Sequence, residues 1–100
     1  MEKVTKMKNQ NDLYSTSFHG DTLYASFEQL EKLFGLEARY EGGSKTTYEM
    51  DLEIAGIPFS IYDWKEGEIE KTDRVHLHIG ARTPEESCVV RSLLRSEYCL

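Results

Sequence analysis

The clearest pattern in the chain is strict alternation over residues 48 to 54. Tyr48, Met50, Leu52 and Ile54 fall on one face of a strand, and Glu49, Asp51 and Glu53 on the other. Ala55-Gly56 predicts a tight turn into a second strand, Ile57 to Trp64, where Ile57, Phe59 and Ile61 alternate with Pro58, Ser60, Tyr62 and Trp64. Pro58 has no N–H to donate, which predicts a place at a sheet edge or outside the ladder. After the polar loop Lys65 to Asp73, Arg74-Val75-His76-Leu77-His78-Ile79 alternates again with Val75, Leu77 and Ile79 inward. Together these segments predict a three-strand antiparallel meander.

Helical spacing appears on either side of it. Ser26 followed by Gln29 forms a capping box, Phe27, Leu30, Leu33 and Phe34 recur at helical intervals, and Gly35 marks the end. Thr83-Pro84-Glu85-Glu86 starts a second helix: Thr as N-cap, Pro at the first helical position, and acids where the macrodipole favours them. Val89, Val90, Leu93 and Leu94 supply its apolar stripe. Leu13 to Phe18 is rich in β-formers and reads as a first strand ended by a turn at His19-Gly20-Asp21, while Glu41-Gly42-Gly43-Ser44 reads as a flexible loop. The prediction is an α+β fold, β-α-β-β-β-α, whose antiparallel sheet carries two helices packed on one face. Met50, Leu52, Ile54, Phe59, Ile61, Val75, Leu77 and Ile79 then meet Leu30, Phe34, Val90 and Leu94. Glu49, Asp51, Glu53, Ser60, Tyr62, Trp64, Arg74, His76 and His78 line the other face.

Length and composition narrow this further. One hundred residues with 39% apolar side chains support a single domain over residues 13–100, with residues 1–12, polar and without apolar period, as a flexible tail. Eighteen acids against twelve Lys and Arg give a net charge of -6, which argues against nonspecific nucleic-acid binding. The natural partners expected from this balance are basic surfaces, or a protein groove that normally holds an anion. No apolar run reaches the roughly 18 residues of a membrane span, and no hydrophobic signal core opens the chain, so a cytosolic protein without membrane contact is expected. Cys88 and Cys99 are too few and too close to the C-terminus to staple a domain, so they are read as reduced thiols.

No reaction is legible. His76 and His78, two apart on a strand, share a face as metal-binding imidazoles often do, with Glu49, Asp51, Glu53 or His19 as third ligand. No established metal motif accompanies them, so they are read as polar fillers beside carboxylates on a solvated strand face, and no cofactor is expected. Gly42-Gly43-Ser44-Lys45-Thr46 lacks the strand, register and helix of a phosphate loop, and no nucleophile elbow occurs. The acidic row at Glu49, Asp51 and Glu53 has the spacing of any solvated strand face.

More information lies in Phe59-Ser60-Ile61-Tyr62-Asp63-Trp64-Lys65-Glu66. Trp64, the sole tryptophan, either packs beneath the loop that follows or the N-terminal tail, or stands on the outer face with Tyr62 as an interface anchor. The same face could stack a nucleotide, with Lys65, Arg74, Arg82 or His78 taking phosphate.

Ser17-Phe18-His19-Gly20, Leu30 to Gly35, Lys45-Thr46, Gly56-Ile57-Pro58-Phe59-Ser60-Ile61-Tyr62-Asp63-Trp64-Lys65 and His78-Ile79-Gly80 carry a resemblance. The chain resembles a group of small bacteriophage proteins of about this length, mostly without assigned function. The similarity runs over about residues 13 to 95, and Ile-Tyr-Asp-Trp-Lys is its most specific stretch. Met50 departs from it, standing where the group has a tryptophan. The resemblance implies a viral accessory protein in the cytoplasm of a bacterial host, of the kind that includes anti-CRISPR inhibitors and sponges for immune nucleotides. His19, Gly20, Tyr62, Asp63, Trp64, Lys65, His78 and Gly80 are the matching positions at strand ends and turns.

The expectation is a non-enzymatic anti-defence protein that binds a bacterial defence protein through Tyr62, Asp63, Trp64, Lys65, His76, His78, Arg74, Arg82 and His19. The alternative is a small immune nucleotide held at a pocket or homodimer interface. A small metal-dependent enzyme at His76 and His78 is the third reading.

Overall fold

The structure, a computed structural model, describes residues 2–100. Its centre is the hairpin predicted from the alternation, β4 (Tyr48–Ile54) and β5 (Ile57–Tyr62), in register from Glu49↔Tyr62 to Ile54↔Ile57. Ala55 and Gly56 make the turn with φ of 51° and 77°; two left-handed residues in succession match the right-handed twist of the flanking strands. β6 (Val75–Ala81) pairs with β5 on its other side, from Phe59↔Ala81 to Tyr62↔His78. Pro58 precedes the first β5 residue paired with β6, so its missing N–H lies outside the ladder, as predicted.

Helices α1 (Phe27–Phe34) and α2 (Pro84–Tyr98) lie on one side of the sheet, giving the α+β architecture expected. Ser26 Oγ accepts from the Gln29 N–H at 3.1 Å and Thr83 Oγ1 from the Glu86 N–H at 3.1 Å, so both predicted N-caps form. Phe27, Leu30, Val90 and Leu94 are sealed against Leu52, Phe59, Ile61, Leu77 and Ile79. At roughly 1.5–3 kcal/mol for each such side chain, this layer is the main stabilising term.

The N-terminal third departs from expectation. Residues 2–12, expected as a flexible tail, are docked: β1 (Thr5–Lys6) pairs with β4, and Val4 and Met7 are 5% and 3% exposed. A short 3-10 turn (Gln10–Ser15) replaces the first half of the predicted strand, and β2 runs instead from Ser17 to Ala25. His19-Gly20-Asp21 is not a turn but a break in register between Phe18 and Thr22, a bulge inside that strand. Apolar side chains at Val4 and Met7 offset the ordering cost of a segment whose polar composition had read as free.

Sheet order explains where the segment must go. The strands run β1-β4-β5-β6-β2, with β3 (Arg39–Tyr40) also on the outer edge of β4. Since β1 and β2 stand at opposite edges, residues 7–16 have to cross a face; they cross the one opposite the helices, with the 3-10 turn against β5. Ser60 and Asp51, expected on a solvated face, are therefore buried. Both edges are guarded: β1 and β3 share that of β4, while β2 carries the bulge and the Arg91 guanidinium, which donates to the Thr22 carbonyl at 2.9 Å.

Candidate functional site

What the crossing segment leaves open is a strip at the far end of the outer face. Cross-strand register aligns Glu49, Tyr62, His78 and Thr22 in one row and His76 and Tyr24 in the next. Phe18, brought in by the β2 bulge, stacks on His78 with ring centroids 3.9 Å apart. The Tyr62 ring meets His78 edge-on at 5.5 Å, and Trp64 lies 6.2 Å from both Tyr62 and His78. Tyr24 and His76 stand 5.0 Å apart. Phe18, Tyr24 and Trp64 remain 42%, 52% and 39% exposed, so the rings form a surface rather than a second core.

Cations border these rings. Lys45 Nζ and Lys65 Nζ lie 5.6 and 5.9 Å from the Trp64 ring centroid, and the Arg74 guanidinium lies 5.1 Å from that of Tyr24, within cation–π range. The Lys65 N–H donates to the Lys45 carbonyl at 2.8 Å, which places the two lysines beside the same indole. Lys65 adopts a left-handed φ of 58° to do so.

Asp63 is the structural pin of this corner. It is fully buried; both its carboxylate oxygens accept from the Thr47 N–H at 2.9 Å, and Oδ1 also accepts from the Tyr48 N–H at 2.9 Å. Thr47 Oγ1 accepts from the Ile69 N–H and donates to the Gly67 carbonyl, both at 3.3 Å, tying residues 41–47 to the 65–73 loop.

Gly80 has a steric role. A Cβ there would come within 2.6 Å of Ser60 Oγ, 3.4 Å of the Tyr62 ring and 3.7 Å of Thr16 Oγ1, so only glycine lets strand, ring and crossing segment close together.

Beside the strip, Arg39 gathers three carboxylates. It donates to Glu41 Oε1 at 2.6 Å, to Glu49 Oε2 at 2.9 Å and to Asp51 Oδ2. The Asp51 side chain is only 5% exposed, and its Oδ1 has no hydrogen-bond partner among the described residues. Burial, then a hydrogen bond with Asp51 and the Asp51 charge, push the Glu49 carboxyl up to about 7, with the Arg39 charge acting against them. Burial also pushes the Tyr62 phenol up and the His78 imidazole down.

Of the residues read from sequence as a site, Tyr62, Trp64, Lys65, His76, His78 and Arg74 do share the strip. Asp63 is enclosed and has no surface to offer a partner. Arg82 donates twice to Glu86, each bond 2.8 Å, at the start of α2. His19 Nε2 lies 3.0 Å from the Ala81 carbonyl and 3.4 Å from Ser17 Oγ, at the other end of β6 from His76. Phe18, Tyr24 and Lys45 were not foreseen; the first two become visible only once β2 is paired with β6. His76 and His78 share a face as expected, but among the described residues no three His, Cys, Asp or Glu side chains converge as a metal site.

Three surface hollows accompany the strip without containing its rings. The one of about 710 Å³ is lined by Leu13, Arg39, Glu41, Lys45, Thr46 and Glu49; others of about 490 and 310 Å³ lie along the β4 edge and around Tyr40. None of the three takes in Trp64, Tyr62 or His78. Among the described residues, no helix is long and apolar enough to cross a membrane. Comparison with protein-family models, curated proteins and solved structures finds no match.

Proposed function

We propose that this chain is a phage-type anti-defence protein that acts by binding rather than catalysis, in the cytoplasm of a bacterial host. Its contact surface is the strip of Phe18, Tyr24, Tyr62, Trp64, His76 and His78, and its partner is a bacterial defence protein. The single observation that carries the binding half is the exposure of Phe18, Tyr24 and Trp64 together on the part of the sheet face that residues 7–16 leave uncovered. Tyr and Trp at a contact supply large rigid area at low entropic cost and dominate binding energy. The resemblance to small phage proteins supplies the biological half.

A macromolecular partner suits this surface better than an immune nucleotide. Small ligands are held in concavities that cover about 70–90% of their area, whereas Phe18, Tyr24 and Trp64 stand open, and none of the hollows of about 710, 490 and 310 Å³ takes in a ring of the strip.

The test is capture of partners from bacterial lysate by the tagged chain, beside W64A and Y24A. Both substitutions remove exposed rings, so circular dichroism should match the parent. Loss of the captured protein in both variants is expected. Undiminished capture by both would remove the strip from consideration.

A further inference from the structure

The net charge of -6 predicts a basic partner, yet the strip itself is bordered by cations. Lys8, Lys32, Arg39, Lys71 and Arg82 are each paired with a carboxylate. Lys45, Lys65 and Arg74 are exposed and, among the described residues, have no carboxylate within ion-pair distance. Lys3, Lys6, Arg91 and Arg95 also lack such a partner, but among the described residues no aromatic ring lies beneath them, and Arg91 is taken up by the Thr22 and Leu100 carbonyls. The unpaired cations of the strip are thus those already seated on Trp64 and Tyr24, the two rings that flank it.

We propose that the surface seated on this strip is an acidic segment of a protein, whose carboxylates pair with Lys45, Lys65 and Arg74 while its apolar groups cover Trp64, Tyr24 and Phe18. The inference rests on the strip being the contact surface, as proposed above, and names the chemistry of what it contacts. Two features of the arrangement favour it. The lysines are held side by side through the Lys65 N–H to Lys45 carbonyl bond, which lowers the ordering cost of engaging both. Seating over aromatic faces leaves each charged head at the rim, where a carboxylate can reach it without burying an unpaired charge. Glu66, which acts on His78 from nearby, and Glu49, held by Arg39, are acids beside this cluster, and neither forms an ion pair with its three cations.

Trp64, the only tryptophan, reports on the site directly. The full chain is titrated with an octa-glutamate peptide, with octa-lysine and ATP as comparison probes, following Trp64 fluorescence at low and high salt. A saturable response to octa-glutamate is expected, weakened by salt and reduced about tenfold or more in K45E/K65E/R74E, since each rim pair contributes modestly and three are reversed. No response to octa-glutamate, or one unchanged in that variant, overturns the inference. A saturable response to octa-lysine alone would assign a basic partner, and one to ATP alone a nucleotide; either overturns it too. The lysate capture separates the two levels: if captured protein is lost in W64A but retained in K45E/K65E/R74E, the acidic partner is wrong while the contact surface stands.

Discussion

Phe18 lies nearly parallel to His78, with 15° between their planes and 3.9 Å between ring centroids. The stack covers one face of the imidazole, and burial holds its pKa below the usual histidine value, Glu66 pulling weakly the other way. A base with a depressed folded pKa is protonated more readily in the unfolded chain. Its contribution to stability is therefore present at neutral pH and lost as pH falls through the ordinary histidine range. NMR titration of the His78 ring should give a midpoint below that of an exposed histidine, and F18A should move it upward. An unchanged midpoint in F18A would mean that the stack does not set the imidazole's environment.

The β4–β5–β6 meander was legible because one face of each strand packs against the helices, so period-two alternation survives in Met50, Leu52 and Ile54 and again in Leu77 and Ile79. Both helices were legible because their caps are chemical: a hydroxyl at Ser26 or Thr83 answers a free N–H wherever the rest of the chain lies. The N-terminal third was not. Val4 and Met7 anchor it with single apolar residues that make no period, and the β2 bulge resets the alternation at Gly20, which a local reading takes for a turn. The candidate strip was half legible for the same reason. Tyr62, Trp64, His76 and His78 follow from alternation within strands, but Phe18 and Tyr24 depend on pairing between the sheet's second strand and its sixth. Asp63 read as a surface group because nothing local shows that its carboxylate is consumed by the backbone of Thr47 and Tyr48.

Glu49 and Asp51 point from one strand face toward a single guanidinium, and one oxygen of Asp51 lacks a donor. A protonated Glu49 is the group placed to provide it. Because burial and Asp51 raise the folded pKa of Glu49 to about 7, well above the ordinary glutamate range, the folded state holds the extra proton between those limits. Stability should therefore be fully present at the acidic end and fall as pH rises toward 7. The E49Q variant keeps a donor at all pH values, so its melting temperature should decline less over that interval. Carboxyl NMR showing Glu49 titrating in the ordinary glutamate range would remove the effect.

Asp63→Ala takes an acceptor from two backbone donors at once, the buried N–H of Thr47 and the half-buried N–H of Tyr48. Leaving buried donors unsatisfied costs on the order of 1–3 kcal/mol each, so denaturant unfolding should show a loss of about 3 kcal/mol or more. Amide exchange at Thr47, Tyr48 and Ile69 should accelerate ahead of the core strands, since the same network holds residues 41–47 to the following loop. Asp63→Asn keeps one acceptor and should cost less.

Gly80→Ala tests how tightly the crossing segment and sheet are closed. The added methyl meets Ser60 Oγ at 2.6 Å before anything else, with the Tyr62 ring at 3.4 Å and Thr16 Oγ1 at 3.7 Å behind it. Ser60 is 3% exposed and has little room to retreat, so the substitution should cost about 1–3 kcal/mol, the usual range for overpacking. Removing the obstructing oxygen should relieve most of that cost, because contacting residues do not act additively. G80A/S60A should accordingly be more stable than the sum of its single changes predicts, measured by denaturant unfolding around a double-mutant cycle. If the two effects simply add, Ser60 is not the obstruction, and the closure at Gly80 must be held by Thr16 and the crossing segment instead.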